Sequence, residues 1–471
     1  MTFATVNPAT GEVVRTYEAH TPEEVDEAVG RVSEAFARYR TTGLDERAGW
    51  CRRAADVLER DRDEIALLMT LEMGKTLAAA AAEVDKCARA FRFYAEHAPA
   101  FLADEHADAA AVGAARAFVR YQPLGPVLAV MPWNFPLWQV VRFAAPALMA
   151  GNTALLKHAS NVPGTALRIE QVVREAGFPD DVLRTLLVES SRVEPVLRDP
   201  RVRAATLTGS EAAGRAGAAV AGGEVKPTVP ELGGSDPFIV TPSADLAAAA
   251  RVAAVARCQN NGQSCIAAKR FIVLDPVADE FEARLVEEMR RLRVGDPSDP
   301  GTDVGPLATS QGRDDVEELV ADAVAKGATV LCGGERPDGP GWYYPPTVVT
   351  GVTEDVRMFH EEVFGPVAAL HRVPDVDAAL ELANATAFGL GSNVWTRDPA
   401  EQERFVRDLE AGTVTVNGMT TSYPELPFGG VKRSGYGREL AAHGIRAFCN
   451  VKTVWVGAGD GDGGATTATS E

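Results

Sequence analysis

Apolar residues recur at helical spacing over most of the first hundred positions. In TPEEVDEAVGRVSEAFARYR they return every three or four residues, which is typical of an amphipathic helix. Thr21 is placed to cap this helix, because Pro22 suits a first helical position and Glu24 completes a capping box. Similar patterns run from Asp45 to about Leu71 and from Ala78 to about His97. We expect these segments to form a helical scaffold that carries no chemistry.

From about Arg120 the pattern changes to short apolar runs that alternate with helical segments. The runs VLAVM, TALLK, VLRTLLV and AATLT are typical of buried strands, and a second alternating region spans roughly 234–437. Such alternation predicts mostly parallel sheets with helices on both faces. Ligands of these sheets bind beyond the carboxyl ends of the strands. The residues at those ends are Asn134, Lys157, Gly209, Ser210 and Glu231.

Length and charge narrow the class of protein. A chain of 471 residues exceeds one ordinary core, so two or three lobes are expected. The formal net charge of −19 disfavours nucleic acid or an anionic membrane as a partner, since both require a basic surface.

The cysteines and the apolar runs indicate a cytoplasmic location. The start MTFATVNPATGEVV lacks a basic region and an apolar run, and no apolar stretch approaches the roughly 20 residues of a membrane span. Six cysteines are scattered along the chain, which favours reduced thiols over a disulfide framework. Neither CxxC nor HExxH occurs, so no metal site is expected.

The stretch NNGQSC raises the question of what Cys265 does. A lone cysteine is most often a small buried hydrophobe, and a disulfide half or a metal ligand are further alternatives. The polar, glycine-bearing residues before Cys265 favour a thiol at a loop end that faces a cleft. Such a thiol acts as a nucleophile if a base or a helix N-terminus generates the thiolate.

Two strand-end residues suit the other roles of such a site. Glu231 ends an apolar strand before Gly233 and Gly234, where partial desolvation would raise the pKa of its carboxyl and favour a general base. Asn134 lies between two prolines in MPWNFP, which holds its amide as a fixed donor for an oxyanion. Each residue taken alone also fits a structural role, as a helix cap or a turn.

The cofactor signals are weaker. Neither GxGxxG nor a P-loop is present, but GSEAAG at residues 209–214 connects a strand to a helix whose N-terminus could hold a pyrophosphate. Lys157 at the end of TALLK could reach ribose hydroxyls or a phosphate.

Seven separated motifs, taken together, resemble the NAD(P)-dependent aldehyde dehydrogenase family. They are MPWNFP, GNTALLK, LTGS, ELGG, NNGQSC, EEVFGPV and PFGGVKRSGYGRE. The resemblance covers about residue 5 to about residue 456. Within the family, KHASNVPG, ELGGSDPFIV and AFCNVKTVW look like the branch of bacterial succinate-semialdehyde dehydrogenases.

The resemblance implies an α/β fold with two Rossmann-like lobes, one for the cofactor and one for catalysis, and an oligomerisation β-arm. The implied cofactor-binding domain comprises residues 1–112 and 124–233, and the catalytic domain comprises 234–437. Residues 113–123 and 438–456 would form the arm, pairing across subunits of a homodimer or homotetramer. Residues 457–471 have almost no apolar content and are expected to be a disordered tail.

The resemblance also implies a role for each matching residue. Cys265 corresponds to the nucleophile that attacks the aldehyde, Asn134 to the oxyanion donor, and Glu231 to the base that activates water for thioester hydrolysis. The positions matching the cofactor site are Trp133, Lys157, Gly209, Ser210, Leu232, Glu362 and Phe364.

Ser160 predicts the cofactor preference, and Arg142 predicts the substrate. Relatives restricted to NAD⁺ commonly have a glutamate where this chain has Ser160, so NADP⁺ is expected to be preferred over NAD⁺. Arg142 lies in a nearly apolar helix, where a charge is costly to bury unless an anion meets it. Relatives that oxidise succinic semialdehyde bind its carboxylate with this arginine, and Ser422 would add a hydroxyl contact.

These positions predict oxidation of succinic semialdehyde to succinate. Two departures from the family's pattern are His158, where proline is commonest, and Gln259, where some of these relatives have an arginine. The alternatives are a dehydrogenase of another aliphatic aldehyde, or a Cys/Glu hydrolase without a redox cofactor.

Overall fold

The computed structural model describes residues 2–458. The chain begins with a hairpin, β1 (Thr2–Val6) and β2 (Val13–Glu18), which sequence analysis did not foresee. Four helices follow: α1 (Pro22–Tyr39), α2 (Leu44–Arg60), α3 (Arg62–Met73) and α4 (Leu77–Phe101). The predicted capping box at Thr21 and Glu24 is confirmed, but the segment predicted as one helix from Asp45 breaks at Asp61.

A five-stranded parallel sheet forms the first lobe. Its order is β7-β6-β5-β8-β9. The strands are β5 (Pro126–Met131), β6 (Thr153–His158), β7 (Leu183–Thr185), β8 (Ala204–Thr208) and β9 (Thr228–Glu231). The helices between them are α5 (Trp138–Ala150), α6 (Pro163–Glu175), α7 (Val193–Arg198) and α8 (Glu211–Gly223). Every residue of α5 is buried, because α5 lies between this sheet and helices α2 and α4.

A seven-stranded sheet forms the second lobe, in the order β12-β13-β14-β11-β10-β15-β16, with β12 alone antiparallel. Its strands are β10 (Asp236–Val240), β11 (Ala268–Leu274), β12 (Thr329–Cys332), β13 (Thr347–Thr350), β14 (Val367–Val373), β15 (Gly391–Trp395) and β16 (Thr413–Val416). Its helices are α9 (Leu246–Cys258), α10 (Asp275–Arg291), α11 (Ser310–Ala325), α12 (Arg357–His360), α13 (Val376–Asn384) and α14 (Pro399–Asp408). The chain then returns to the first lobe, where Gly435 bridges to Glu231.

The third sheet is a three-stranded arm. It comprises β3 (Glu105–His106), β4 (Arg116–Pro123) and β17 (Cys449–Val456), with the short helix α15 (Ala441–Arg446) before β17. Strands β4 and β17 pair with each other, antiparallel, within one chain, and the predicted pairing of this arm across subunits stays a prediction. Their complementary apolar runs make this local pairing available without a second subunit.

The domain boundaries inferred from the sequence stay a prediction. The predicted tail, residues 457–471, lies outside the described residues except for 457 and 458. No helix within residues 2–458 combines the length and apolar content of a membrane span.

Candidate active site

The loop before Cys265 has an unusual backbone conformation. Asn260, Asn261 and Gly262 are all left-handed, with φ of 54°, 59° and 77°. Asparagine tolerates this conformation, and glycine adopts it without strain. A Cβ on Gly262 would lie 2.6 Å from the carbonyl oxygen of Gly365, so a side chain cannot be accommodated there. The tight turn carries the chain from the end of α9 to Cys265, just ahead of β11.

Amide side chains fix this loop to the opposite lobe. Asn260 Nδ2 donates to the carbonyl oxygens of Asn134 (2.7 Å) and Gln263 (3.0 Å). Asn134 Nδ2 in turn donates to Gln263 O at 3.1 Å. An amide nitrogen has two hydrogens, so Asn134 retains one for a further acceptor beside the thiol.

Cys265 opens into a cavity of about 290 Å³ between the two lobes. The predicted residues that line it together are Trp133, Asn134, Gly209, Ser210, Leu232, Cys265, Glu362 and Phe364. Sequence analysis missed Pro132, Gln139, Thr208 and Gly233, which complete the lining. The rings of Trp133 and Phe364 meet edge to face, with centroids 5.7 Å apart.

Burial controls the protonation of the thiol. It raises the pKa of Cys265 to about 12, and the positive charges of Arg142 and Lys269 oppose this shift. The thiol is therefore protonated at neutral pH and requires a base before it can attack.

Glu231 ends β9 and is fully enclosed, outside the residues that line the Cys265 cavity. Neither of its carboxylate oxygens has a hydrogen-bond partner among the described residues. Burial raises the pKa of its carboxyl well above the usual value, and the nearby Glu439 raises it further. A carboxyl without hydrogen bonds to hold its charge is suited to exchanging a proton.

Glu362 is held in the cavity by a residue that sequence analysis missed. The buried Lys269, on β11, lies 3.0 Å from Glu362 Oε1 and also donates to the carbonyl of Cys265 at 2.8 Å. The backbone of Gly234 packs directly against the same carbonyl of Cys265, because a Cβ on Gly234 would lie only 2.5 Å from that oxygen. One lysine thus orders both the backbone of Cys265 and the carboxylate that is predicted to contact the cofactor. Its sequence neighbours gave no signal of that role.

Lys157 and Ser160 line a different cavity, of about 550 Å³, with Asn161, Glu189 and Ser190. Lys157 is buried, and its ammonium forms no ion pair within residues 2–458. Burial lowers the pKa of this lysine. A buried cation without a carboxylate partner, beside several hydroxyls, fits the phosphorylated ribose of a dinucleotide. Ser210 caps the N-terminus of α8, where the predicted pyrophosphate position lies.

His158, which departs from the family pattern, connects this strand end to the Asn134 loop. Its Nδ1 accepts from the Ala159 backbone N–H at 2.9 Å, so Nε2 carries the hydrogen and donates to Pro136 O at 2.8 Å. Burial lowers the pKa of His158 to about 4. The ring is therefore neutral and acts as a fixed spacer between the two loops.

Arg142 already has a protein carboxylate as its partner. Its guanidinium forms a buried ion pair with Glu439, donates to Thr208 Oγ1 at 3.2 Å and stacks over Phe428. Because a carboxylate of the protein neutralises this charge, the burial of Arg142 does not by itself indicate an acidic substrate, and its predicted contact with the substrate stays a prediction. Arg142 is also absent from the lining of the Cys265 cavity. Contact with a substrate carboxylate would require the ion pair to open.

Ser422 lies close to two side chains near the start of α5. Its hydroxyl accepts from Trp138 Nε1 at 3.0 Å and from Lys86 Nζ at 2.9 Å. Lys86 was not foreseen, because a lysine on a helix normally marks a solvent-exposed face.

Comparison with known proteins identifies the family. The family model described as the aldehyde dehydrogenase family matches residues 1–454. The chain belongs to that family, and the predicted resemblance and α/β fold class are confirmed.

Individual relatives are more specific. The chain is 64% identical over 469 residues to succinate-semialdehyde dehydrogenase [NADP(+)] of Mycobacterium avium (strain 104), covering 99% of each chain. It is 64% identical to succinate-semialdehyde dehydrogenase [NADP(+)] 1 of Mycobacterium tuberculosis (strain H37Rv), covering 97% of this chain and all of that one. The solved succinic semialdehyde dehydrogenase of Streptococcus pyogenes, in complex with NADP⁺, superposes with a TM-score of 0.94 at 36% identity. That match covers 97% of this chain and 100% of the other.

Proposed function

We propose that this protein oxidises succinic semialdehyde to succinate, with NADP⁺ as the preferred cofactor and NAD⁺ as the alternative. The observation that carries the proposal is the convergence of Cys265, Asn134 and Glu362 on one cavity between the lobes. The high identity to relatives named for this reaction supports the choice of substrate.

The chemistry follows from the protonation states and positions of the site residues. The Cys265 thiol passes its proton to solvent in the cavity, and the thiolate then adds to the aldehyde carbon and forms a thiohemiacetal oxyanion. The free hydrogen of the Asn134 amide and the backbone N–H of Cys265 stabilise that oxyanion. The cofactor, when bound, supplies an acceptor for the hydride that leaves this carbon, and a thioester remains on Cys265.

Glu231 completes the reaction. Its carboxylate takes a proton from water, the resulting hydroxide adds to the thioester carbon, and the thiolate leaves as succinate forms. Its lack of hydrogen-bond partners allows it to hold the proton and then release it.

The cofactor preference depends on Lys157 and Ser160. Lys157 supplies an unpaired positive charge and Ser160 a hydroxyl donor, which together suit a 2′-phosphate. Glu189 lines the same cavity and has the opposite effect, so NAD⁺ is retained as a second cofactor.

A hydrolase without a redox cofactor fits the structure less well. It would have no use for the Lys157 cavity or for a carboxylate fixed by Lys269 inside the active-site cavity. A dehydrogenase of a neutral aliphatic aldehyde remains the second candidate, because the Arg142–Glu439 ion pair removes one argument for an acidic substrate.

The test is a substrate panel with purified protein, in which the absorbance of the reduced nicotinamide is followed. We expect kcat/KM for succinic semialdehyde to exceed that for butanal at least tenfold, about 1.4 kcal/mol, with NADP⁺ better than NAD⁺. Equal values for both aldehydes would refute the substrate assignment, and aldehyde consumption without cofactor reduction would refute the reaction.

The role predicted for Arg142 has its own test. The prediction from sequence is that Arg142→Ala raises KM for succinic semialdehyde at least about tenfold and leaves butanal nearly unchanged. Equal losses on both substrates would mean that Arg142 serves only to neutralise Glu439.

Assembly and location complete the proposal. The enzyme is a cytoplasmic homodimer or homotetramer that does not bind nucleic acid or membranes. The net charge of −19 supports the absence of nucleic-acid and membrane partners, and the six free cysteines support the cytoplasmic location. The open edge of strand β17 supports the assembly.

A further inference from the structure

Lys86 is a partly buried cation without a counter-charge. It lies on α4, and its ammonium contacts the Ser422 hydroxyl at 2.9 Å and lies 4.1 Å from the ring centroid of Trp138. Within residues 2–458 it forms no ion pair, although its surroundings withdraw it from water. A desolvated ammonium that has only a hydroxyl and an aromatic face as partners is incompletely compensated.

Two carboxylates in the region of Lys86 are bound to other groups. Glu83, one turn earlier on α4, pairs with the buried Lys75 and accepts the backbone N–H groups of Leu137 and Trp138. Glu425, near Ser422 in the chain, pairs with Arg89. Lys86 therefore does not serve as a structural ion pair, and its charge is available to a ligand.

The position of Lys86 connects it to the reacting thiol. Trp138 and Gln139 begin α5, directly after the loop that carries Asn134, and Gln139 lines the Cys265 cavity. Arg142, one turn further along α5, is the strongest positive influence on the Cys265 thiol and also acts on Lys86. Lys86, Ser422 and Trp138 thus form one cluster next to the residues that line the cavity, on the side of Arg142. The Trp138 indole N–H is donated to Ser422, while the Lys86 ammonium and the Ser422 hydroxyl each keep hydrogens for a further acceptor.

We propose that Lys86, together with the Ser422 hydroxyl that the Trp138 indole N–H orients, binds the carboxylate of the aldehyde substrate and so selects acidic over neutral aldehydes. This inference rests on the proposed function and names the group that recognises the acid. It assigns the anion contact to a cation that the protein leaves unpaired, whereas Arg142 is already neutralised by Glu439.

The subsite gives substrate selection a pH dependence. Burial lowers the pKa of Lys86 to about 8; the charges of Arg142 and Arg89 also lower it, while Cys87 and Glu83 raise it. Lys86 is charged at neutral pH and loses its proton as the pH rises through about 8. The preference for succinic semialdehyde over butanal should fall over that range. The carboxylate of succinic semialdehyde loses its charged partner, whereas butanal has no carboxylate and is unaffected.

Three variants of the full-length enzyme test the inference. Lys86→Gln removes the charge, Lys86→Arg retains one that does not titrate, and Arg92→Gln, which removes an exposed cation of the same helix paired with Asp56 and Glu59, is the matched control. At neutral pH, Lys86→Gln should lower kcat/KM for succinic semialdehyde at least about tenfold and change butanal less than about twofold. Lys86→Arg should retain the preference and abolish its decline above pH 8, and Arg92→Gln should behave as wild type.

Thermal unfolding with and without succinate provides a readout that does not depend on turnover. Removal of an uncompensated charge should leave the Tm of unliganded Lys86→Gln unchanged or raised. Succinate should raise the Tm of wild type and Arg92→Gln, but not that of Lys86→Gln.

Two results separate this inference from the proposed function. If wild type prefers succinic semialdehyde and Lys86→Gln retains that preference or is equally stabilised by succinate, the Lys86 subsite is refuted and the function stands. If wild type itself shows neither the preference nor stabilisation by succinate, the proposed function fails and the subsite falls with it.

Discussion

Cys265 and Glu231 are two enclosed acids that must both lose protons during turnover. Burial raises the pKa of each, to about 12 for Cys265 and well above the ordinary value for Glu231. An acid with a raised pKa keeps its proton up to a higher pH than usual. The active, deprotonated forms of both groups therefore become populated only as the pH rises. The Cys265 thiol is consequently protonated and poorly reactive at neutral pH.

This protonation predicts the pH profile on a neutral aldehyde. For butanal, kcat/KM should rise continuously between about pH 6 and pH 9, because deprotonation of the buried acids limits the rate. Steady-state assays with NADP⁺ across that range measure it. A profile that falls above neutrality would contradict the raised pKa values.

The cofactor preference can be shifted at one residue. Ser160→Glu should move the ratio of kcat/KM values toward NAD⁺ at least about tenfold, since a carboxylate repels a 2′-phosphate and accepts from a 2′-hydroxyl. Ser160→Ala, which removes only the hydroxyl, should cause a smaller shift. A wild type that uses NAD⁺ tenfold better than NADP⁺ would overturn the assignment.

The sequence predicted the residues that line the active-site cavity better than it predicted the ion pairs of the charged site residues. Cys265, Asn134 and Glu362 are recognisable because short motifs at strand ends and loops carry them. Glu439 as the partner of Arg142, and Lys269 as the partner of Glu362, depend on side chains from distant segments meeting in three dimensions. Spacing along the sequence does not show which distant side chains meet in the fold. The ion pair between Arg142 and Glu439 could therefore not be identified from the sequence.

At the scale of elements, the left-handed turn at Asn260–Gly262 positions the nucleophile. Three consecutive residues with positive φ are held there by side-chain amides and by close packing against Gly365. The sequence indicated a glycine-bearing polar lead-in, but it could not show that the turn packs against the EEVFGPV segment from the second lobe.

Gly262→Ala tests the rigidity of this turn. A Cβ there is strained by the positive φ and collides with the Gly365 backbone. We expect the free energy of unfolding to fall by about 2 kcal/mol or more, and kcat/KM to fall about a hundredfold as Cys265 moves.

Gly222→Ala is the matched control, because a Cβ added to this exposed helical glycine would have no heavy atom within 4 Å. It should change the free energy of unfolding by less than about 1 kcal/mol and leave kinetics unaltered. Chemical denaturation and steady-state rates measure both variants. Equal behaviour of the two would contradict a packed turn.

Helices and parallel strands were predictable where caps and apolar runs are strong, as at Thr21 and in β5 (Pro126–Met131). The N-terminal hairpin was not, because part of its stability comes from outside itself. Thr5 on β1 donates to the buried Glu72, which also accepts from Thr165 at the start of α6. The break at Asp61 was also missed, since apolar periodicity continues across it.

At the scale of the whole molecule, the three-stranded arm presents an edge that suits assembly. Strand β17 pairs with β4 on one side only among the described residues, and it exposes Val451 and Trp455 by 62% and 56%. An open edge strand with exposed apolar side chains is a site for pairing with another chain. We expect β17 to form the contact between subunits.

Val451→Lys should weaken that assembly by placing a charge in the contact. Val13→Lys, at an equally exposed valine (61%) of the N-terminal hairpin, is the matched control and should leave the assembly intact. Light scattering at micromolar concentration reports the mass of each. A wild type that is monomeric, or two variants that dissociate alike, would contradict the arm's role.

The most direct test of the two-step chemistry is rapid mixing of each variant with succinic semialdehyde and NADP⁺, with reduced cofactor measured from the first turnover onward. Cys265→Ala should produce no reduced cofactor, because no thiohemiacetal forms. Glu231→Gln should produce a burst of about one equivalent per active site and then stall at the thioester. Near-normal turnover by Cys265→Ala, or steady turnover without a burst by Glu231→Gln, would contradict the account.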